Sequence, residues 1–219
     1  MRLVVISDTH LVAQDTPLPA GDVLIHCGDF CINGTDSELY HALTWFRDLE
    51  FEQKACIMGN HDEWEEKCPG MVKHVLDGHA HYLNGSEVTI HGLKFWGSPI
   101  QPEFKNYAFN RTRLFRSHYW KDAMPDDVDV LLTHCPPRGV LDETHDSSRV
   151  GCKHLGFRVE KVRPILHAFG HIHESRGCLI KDGIGYVNAS MVERGLLPVH
   201  KPFVFDLEPT TREIVLVDK

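Results

Sequence analysis

Residues 1–10 read MRLVVISDTH, an apolar run that gives way to Asp8, Thr9 and His10. Short runs rich in Val, Ile and Leu are typical of buried strands. Four later segments have the same form, and each leads into polar or glycine-containing sequence. The five predicted strands are Leu3–Ser7, Val23–Cys27, Ala55–Met58, Val128–Thr133 and Ile165–Phe169. The stretch Leu166–Phe169 can alternatively close a helix that begins near Phe157.

Helical and hairpin patterns lie between and after these runs. Ser37–Leu49 carries its apolar side chains on one face, with Asp36 or Ser37 as the N-cap. Asn110–Trp120 and Phe157–Leu166 are weaker helical patterns. The predicted hairpins pair Glu87–His91 with Leu93–Trp96, Cys178–Ile180 with Gly185–Val187, and Phe203–Leu207 with Glu213–Val217. Strands that alternate with helices and then form hairpins predict a mixed α/β architecture with two packed sheets.

Composition limits the classes of protein that this chain can represent. No linker or repeat divides its 219 residues, so we expect one domain over residues 1–219. The net charge of −8 argues against binding of extended nucleic acid. The N-terminal apolar run is too short for a signal peptide, and no segment approaches the length of a membrane span. Seven scattered cysteines without a CxxC pair indicate free thiols in a reducing cytoplasm. No pattern assigns an oligomeric state.

The five predicted strands all lead into side chains that can bind metals or transfer protons. Ligands of open α/β sheets collect beyond the carboxyl ends of the strands. Any one of these segments is compatible with an ordinary turn, but five of them indicate a common site. Alternate residues of an extended segment share a face, so we expect His171 and His173 to point into that site. The segments are Asp8-Thr9-His10, Gly28-Asp29, Gly59-Asn60-His61-Asp62, His134 and Gly170-His171-Ile172-His173.

This ordered set of motifs resembles the calcineurin-like metallophosphoesterase superfamily. The segments Gly97–Pro102, Tyr107–Asn110 and Thr133–Pro137 resemble the branch of metallophosphoesterase-domain proteins that includes brain-type and bacterial relatives. The resemblance implies a four-layer α-β-β-α sandwich of two mixed sheets. It also implies a dinuclear metal site at the carboxyl edge of the strands.

The resemblance assigns seven metal ligands. One metal takes Asp8, His10, Asp29 and His173, and the other takes Asp29, Asn60, His134 and His171. Asp29 is the bridge, which suits a carboxylate with two oxygens. Oxygen and imidazole ligands without thiolate fit two divalent or trivalent ions of manganese, iron or zinc.

The resemblance also implies a mechanism. A hydroxide shared by the two metals attacks phosphorus, and His61 acts as the general acid that protonates the leaving group. Asp62 either orients and charges His61 or caps the following helix, and the sequence leaves these two roles open.

The expected substrate is a small phosphodiester such as a cyclic nucleotide or a nucleotide-like compound. Protein Ser/Thr phosphatases of the superfamily carry an Arg shortly after the Gly-Asp motif, whereas here Phe30–Gly34 contains none. A phosphomonoesterase or protein phosphatase remains an alternative. A nucleotide-binding regulatory protein with weak or no turnover is another, although all seven ligands are intact. A nuclease conflicts with the acidic charge.

Overall fold

The computed structural model describes residues 1–218, with the exception of the side chains of Arg113, Leu114, Arg116 and Asp218. The first of its two large sheets has six strands: β1 (Arg2–Ile6), β2 (Val23–Cys27), β3 (Gln53–Ile57), β4 (His81–Tyr82), β13 (Phe203–Glu208) and β14 (Glu213–Asp218). Their spatial order is β14-β13-β1-β2-β3-β4. Strands β1 to β4 run parallel, and β13 and β14 add an antiparallel hairpin at the side of β1.

The second sheet is also mixed and has six strands: β5 (Ser86–Ile90), β6 (Leu93–Ser98), β9 (Val130–Thr133), β10 (Leu166–Phe169), β11 (Gly177–Lys181) and β12 (Ile184–Asn188). Their order is β11-β12-β10-β9-β6-β5, with β6, β9, β10 and β12 parallel. The small pair β7 (Gln101–Pro102) and β8 (Asn110–Arg111) lies beyond the end of β6. All five predicted strands and all three predicted hairpins form, with ends shifted by at most two residues.

Three apolar clusters hold the sheets and helices in layers. One cluster lies between the two sheets and contains inward-facing residues of both, among them Val5, Ile57, Phe95 and Leu132. A second packs the other face of the first sheet against helices α1 (Asp36–Asp48) and α3 (Met71–Leu76), and a third packs the second sheet against α4 (Arg113–Ala123) and α5 (Lys153–Val162). The predicted α-β-β-α sandwich is therefore confirmed.

Helix boundaries differ from the sequence-based predictions. Helix α1 has nearly the predicted extent, but its N-cap is Thr35 rather than Asp36 or Ser37, because the Thr35 hydroxyl accepts a hydrogen bond from the first turn. The short α2 (Glu63–Lys67) was expected only as the helix that Asp62 could cap, and α3 was not predicted. None of the helices among residues 1–218 combines the length and hydropathy needed to cross a membrane.

The two weaker helix predictions were wrong in their bounds. The first two residues of the predicted helix Asn110–Trp120 instead form strand β8, which pairs with β7. Helix α4 begins after Thr112, whose side chain is its N-cap. The predicted helix Phe157–Leu166 lies four residues too far towards the C-terminus at both ends, because the observed helix is α5 (Lys153–Val162). Arg163 takes a left-handed conformation that ends α5, so Leu166–Phe169 is a strand and the helical alternative is wrong.

Candidate metal centre

The loops that follow β1 and β2 are joined by backbone hydrogen bonds at the carboxyl edge of the first sheet. The N–H of Asp8 donates to the carbonyl of Gly28 at 2.9 Å, and the N–H of His10 donates to the carbonyl of Asp29 at 3.1 Å. These contacts continue the parallel pairing of the two strands beyond their ends. They place the first two predicted motifs beside each other.

A first group of possible metal ligands consists of Asp8, His10 and His173, whose ligand atoms all lie within 4.8 Å of one another. The Nδ1–H of His10 donates to the carbonyl of Cys31 at 2.6 Å, since a carbonyl can only accept. The Nε2 atom of His10 is left with its lone pair. It is buried and makes no hydrogen bond to any described residue.

A second group consists of Asp29, His134 and His171, with the same spacing of ligand atoms. His134 donates from Nδ1 to the carbonyl of Cys27 at 2.8 Å. Its Nε2 atom lies 2.9 Å from Oδ1 of Asn60 and therefore faces the one amide among the predicted ligands. The structure thus brings all seven predicted metal-ligand residues to one edge of the molecule.

Asp29 connects the two groups. Its Oδ2 atom lies 3.6 Å from Nε2 of His10 in the first group and 3.3 Å from Nε2 of His134 in the second. The other oxygen, Oδ1, accepts the backbone N–H of His61 at 2.8 Å. One carboxylate therefore faces both groups, as a bridging ligand must.

Charges inside the centre are unevenly distributed. Burial raises the pKa of Asp29, but His134, His10 and His61 outweigh it and hold that pKa well below its usual range. The pKa of Asp8 is lowered to about 2, because His173 outweighs the effect of burial. Burial lowers the pKa of His10, and it lowers that of His171 to about 3 with a further contribution from His134. The carboxylates are thus ionised and these two imidazoles neutral near pH 7, which are the forms that bind metals. Burial lowers the pKa values of His134 and His173, but Asp29 outweighs it and raises that of His134 to about 9, and Asp8 outweighs it and raises that of His173.

The backbone is strained where the predicted ligands lie. Asp8, His10, Asp29 and His171 have φ values of 52°, 43°, 56° and 70°. Non-glycine residues rarely take positive φ, and such strain gathers at functional sites. His171 and His173 both lie in the ligand groups of the centre, as expected, but they do not reach it from one face of an extended segment. His171 is left-handed, His173 begins the 3₁₀ turn His173–Ser175, and the two side chains enter different groups.

Two glycines allow the loops to approach the carboxylates closely. A side chain at Gly59 would overlap Oδ1 of Asp29, and a side chain at Gly170 would overlap Oδ2 of Asp8. Neither glycine has a positive φ, so the requirement is for space rather than for conformation.

His61 lies beside the first group without being part of it. Its ring centroid is 4.9 Å from that of His10, in an edge-to-face arrangement. Its Nδ1–H donates to the carbonyl of Ile32 at 2.6 Å. Only Nε2 is then left to hold or release a proton towards a ligand of the centre.

Asp62 makes different contacts from either of the two predicted ones. It occupies the N-cap position of α2, but its side chain forms no capping hydrogen bond, and no hydrogen bond or ion pair joins it to His61 within residues 1–218. Instead, its buried carboxylate accepts the backbone N–H groups of Phe30, Cys31 and Gly59 at 2.7 to 3.0 Å. Asp62 therefore fixes the two loops that carry Asp29 and Asn60.

A family model described as calcineurin-like phosphoesterase matches residues 1–175, which include every residue of both groups. The chain belongs to the calcineurin-like phosphoesterase family. Membership supports metal-dependent phosphoester hydrolysis by this chain and implies a dinuclear metal site.

Similar proteins in two animals have names that match the predicted branch of metallophosphoesterase-domain proteins or the related UPF0046 group. Metallophosphoesterase domain-containing protein 1 of Homo sapiens is 37% identical over 235 residues, which cover 96% of this chain and 72% of that protein. The UPF0046 protein K07C11.7 of Caenorhabditis elegans is 34% identical over 225 residues, which cover 96% of this chain and 77% of that protein.

Solved structures share the fold at low sequence identity. TT1561 of Thermus thermophilus superimposes with a TM-score of 0.69 at 13% identity, covering 99% of this chain and 98% of that one. A structure described as a novel archaeal phosphodiesterase superimposes with a TM-score of 0.51 at 15% identity, covering 99% of both chains.

The residues present fit the metals that the family implies. A buried imidazole nitrogen without a hydrogen-bond partner, His10 Nε2, is costly unless something binds it. Carboxylate, imidazole and amide donors together suit a divalent or trivalent transition metal or zinc. None of the seven cysteines among the described residues forms a disulfide, and none joins either ligand group.

Sequence reasoning missed two features around the centre. One is a loop containing Phe104 and Tyr107, whose Tyr107 ring lies 4.8 Å from that of His61. The other is a groove beside His173, lined by His145, Glu174, Arg176, Glu193, Arg194 and His200. The segment Tyr107–Asn110 resembled the predicted branch but was not assigned to the site, and the groove has no motif because it comes together only from the loops that follow β9, β10 and β12.

Proposed function

We propose that this chain hydrolyses a small phosphodiester, with a cyclic nucleotide or nucleotide-like compound as the leading class. The observation that carries the proposal is the position of Asp29, whose one carboxylate faces both ligand groups while its neighbour His61 lies against the first group. Asp8, His10, Asp29 and His173 would hold one metal. Asp29, Asn60, His134 and His171 would hold the other.

When bound, manganese, iron or zinc ions would supply positive charge for the phosphate oxygens and activate the attacking water. The chain supplies the rest. Oδ1 of Asp29 accepts the backbone N–H of His61, and the carbonyl of Ile32 accepts the Nδ1–H of its ring. Together these two contacts fix the position of His61. Protonated at Nε2, the imidazolium donates that proton to the leaving oxygen as the P–O bond breaks, which contributes about 10²–10⁴-fold.

Asp62 has a positioning role in this proposal. Its carboxylate holds the N–H groups of Phe30 and Cys31 on one loop and of Gly59 on the other. Asp29 and Asn60 lie on these same loops, so Asp62 acts on the ligands and not on the reacting atoms.

A diester fits this centre better than a phosphoprotein or another monoester. A monoester carries an additional negative charge, and the loop after Asp29 offers no Arg or Lys to meet it. The first two residues of this loop, Phe30 and Cys31, are fully buried, so their side chains cannot contact a substrate. A fold neighbour described as an archaeal phosphodiesterase makes diesters the first substrates to test.

The remaining expectations belong to the same proposal. We propose that residues 1–219 form one domain, since both sheets contribute ligand loops to the centre. We also propose a reducing cytoplasm as its location, because none of the seven cysteines forms a disulfide within the described residues.

Turnover of bis-p-nitrophenyl phosphate by metal-free protein reloaded with Mn²⁺, Fe²⁺ or Zn²⁺ tests the proposed function. We expect turnover that a chelator abolishes and that re-added metal restores. A screen of cyclic nucleotides, mononucleotides and phosphomonoesters then ranks the substrate classes. If the protein binds nucleotide and metal without turning over any ester, a nucleotide-binding regulatory protein replaces the enzyme.

A further inference from the structure

The loop after β7 places an aromatic ring directly against the proposed general acid. The ring centroid of Tyr107 lies 4.8 Å from that of His61, with the planes inclined by 36°. Because His61 faces the leaving group in the proposed reaction, Tyr107 lies on the leaving-group side of the centre.

A second aromatic ring continues away from the centre. Phe104 lies 6.1 Å from Tyr107, centroid to centroid, with an interplanar angle of 27°. Its side chain is 51% exposed, and Tyr107 is half-buried. The Nζ atom of Lys105 lies 5.1 Å from the centroid of Phe104 and 5.6 Å from that of Tyr107. We call Phe104, Lys105 and Tyr107 the aromatic platform.

The aromatic platform is fixed relative to the metal centre. The side chain of Asn110 donates to the carbonyls of Phe104 and Lys105, both at 3.0 Å, and its Oδ1 accepts the N–H of Phe104 at 3.2 Å. At the other end of the loop, the N–H of Ala108 donates to the carbonyl of Asn60, a predicted metal ligand, at 3.2 Å. A single exposed Phe needs no explanation, but two rings tied to the ligand loop in this way form a prepared surface.

We propose that the aromatic platform stacks a planar aromatic ring in the leaving group of the substrate. The inference rests on the proposed hydrolysis and narrows its substrate class. Stacking on aromatic side chains tolerates many ring structures because each has a π-face. The ammonium of Lys105 lies over the same rings, so a ring without positive charge is favoured. A nucleoside meets both conditions.

Two symmetric phosphodiesters separate stacking from size and leaving-group acidity. Bis(2-phenylethyl) phosphate and bis(2-cyclohexylethyl) phosphate differ in the aromaticity of the ring. Each ester is symmetric, so it releases its own alcohol whichever of its two ester bonds is cleaved. With metal-loaded wild-type protein, we expect kcat/KM to favour the phenyl ester by about 10-fold. Phe104→Leu and Tyr107→Leu should each reduce this preference, and Tyr107→Phe should retain it.

The ratio of kcat/KM for the phenyl ester to kcat/KM for the cyclohexyl ester identifies stacking even if a variant also moves His61. Tyr107→Leu can lower kcat for both esters, but a purely structural effect leaves their ratio unchanged. Phe157→Leu is the matched control, since Phe157 is 57% exposed on α5 and has Lys153 over its ring. A wild-type ratio near unity, or a ratio that both leucine variants leave intact, overturns the proposal.

A binding measurement keeps the two proposals distinguishable. Calorimetry on the metal-loaded protein compares the Kd values of 2-phenylethylphosphonate and 2-cyclohexylethylphosphonate. If no phosphate ester is turned over, bis-p-nitrophenyl phosphate included, the proposed function fails, but tighter binding of the phenyl compound that Phe104→Leu abolishes still supports the platform. Equal Kd values in that case overturn the platform as well.

Discussion

Oδ2 of Asp29 lies 3.6 Å from Nε2 of His10, a buried nitrogen that makes no hydrogen bond within the described chain. The same oxygen lies 3.3 Å from Nε2 of His134 in the other ligand group. A carboxylate that faces two ligand groups can bind a metal in each, whereas each of these histidines can bind one. This difference can be measured.

Asp29→Ala should lower the content of both metals, whereas His10→Ala should lower that of one. Loss of the shared ligand should reduce kcat/KM by about 10³-fold or more, since the metals contribute several kcal/mol to transition-state stabilisation. Elemental analysis of the purified variants gives the ratio of metal to protein. Asp15→Ala, an exposed carboxylate on a surface loop, is the control. If Asp29→Ala loses no more metal than His10→Ala, Asp29 is not a bridge.

His61→Ala should leave the metal content unchanged and slow poor leaving groups most. The Nδ1–H of His61 is engaged by the carbonyl of Ile32, so its proton is delivered from Nε2. We expect kcat to fall by about 10²–10⁴-fold for alkyl leaving groups and by less for 4-nitrophenol, which leaves without a proton. The dependence of log kcat on leaving-group pKa gives the measurement, with the exposed His41→Ala as control. An equal loss for all leaving groups would argue against the acid role.

Asp62→Ala should destabilise the fold more than an ordinary surface substitution. Three buried N–H groups, those of Phe30, Cys31 and Gly59, would lose their acceptor. Each unsatisfied buried donor costs about 1–3 kcal/mol, so the free energy of unfolding should fall by about 3 kcal/mol or more. Urea unfolding of the metal-free protein measures this, with the exposed Asp77→Ala as control. A change no larger than that of the control would mean that the loops do not depend on Asp62.

The fold was predictable where apolar runs and hairpin turns are local signals. The run Leu3–Ile6 forms most of β1 because its residues are buried on both faces, between the two sheets and under α1. Helix ends were less predictable. Thr35 caps α1 although Asp36 and Ser37 are of types that rank above Thr as N-caps, and the choice depends on which side chain the folded loop orients.

The candidate site was predictable in its members but not in its geometry. Motif order alone named Asp8, Asp29 and His134, but it gave no indication that the backbone turns left-handed at Asp8 and Asp29. It left open whether Asp62 orients His61 or caps α2, and the structure shows a third set of contacts. Two of those contacts, with Phe30 and Cys31, join residues about thirty positions apart, which no local pattern encodes.

Gly170→Ala should disturb the first ligand group. The added methyl would overlap the carboxylate of Asp8, which also accepts the N–H of His171 at 3.0 Å. We expect loss of about 1–3 kcal/mol of stability, as for other overpacked sites, together with loss of metal from the group of Asp8 and His10. Gly156→Ala is the control, because it lies within α5 with only ordinary contacts around it. Normal metal content and normal stability in Gly170→Ala would show that the loop moves enough to accommodate the methyl group without disturbing Asp8.

Acid should destabilise the metal-free protein partly through His167, which lies in β10 away from the ligand groups. Thr133 Oγ1 donates to the carbonyl of Cys135 at 2.8 Å, so the Nε2–H of His167 donates to Thr133 Oγ1, also at 2.8 Å. Its Nδ1 is buried and makes no hydrogen bond to any residue from 1 to 218. Burial lowers the pKa of His167 to about 3, compared with about 6.5 in an unfolded chain.

The sign of the pH effect follows from these two pKa values. Above about pH 6.5 His167 is neutral in both states, and below it the unfolded chain binds a proton that the folded protein excludes. The free energy of unfolding should therefore fall as the pH drops from 6.5 towards 3, by up to about 1.4 kcal/mol per pH unit from this histidine. His167→Leu should show a slope between pH 6 and 4.5 that is shallower by this amount, whereas the exposed His41→Leu should keep the wild-type slope. Equal slopes for wild type and His167→Leu would mean that His167 is protonated within the folded core, and that the free Nδ1 has gained a partner there.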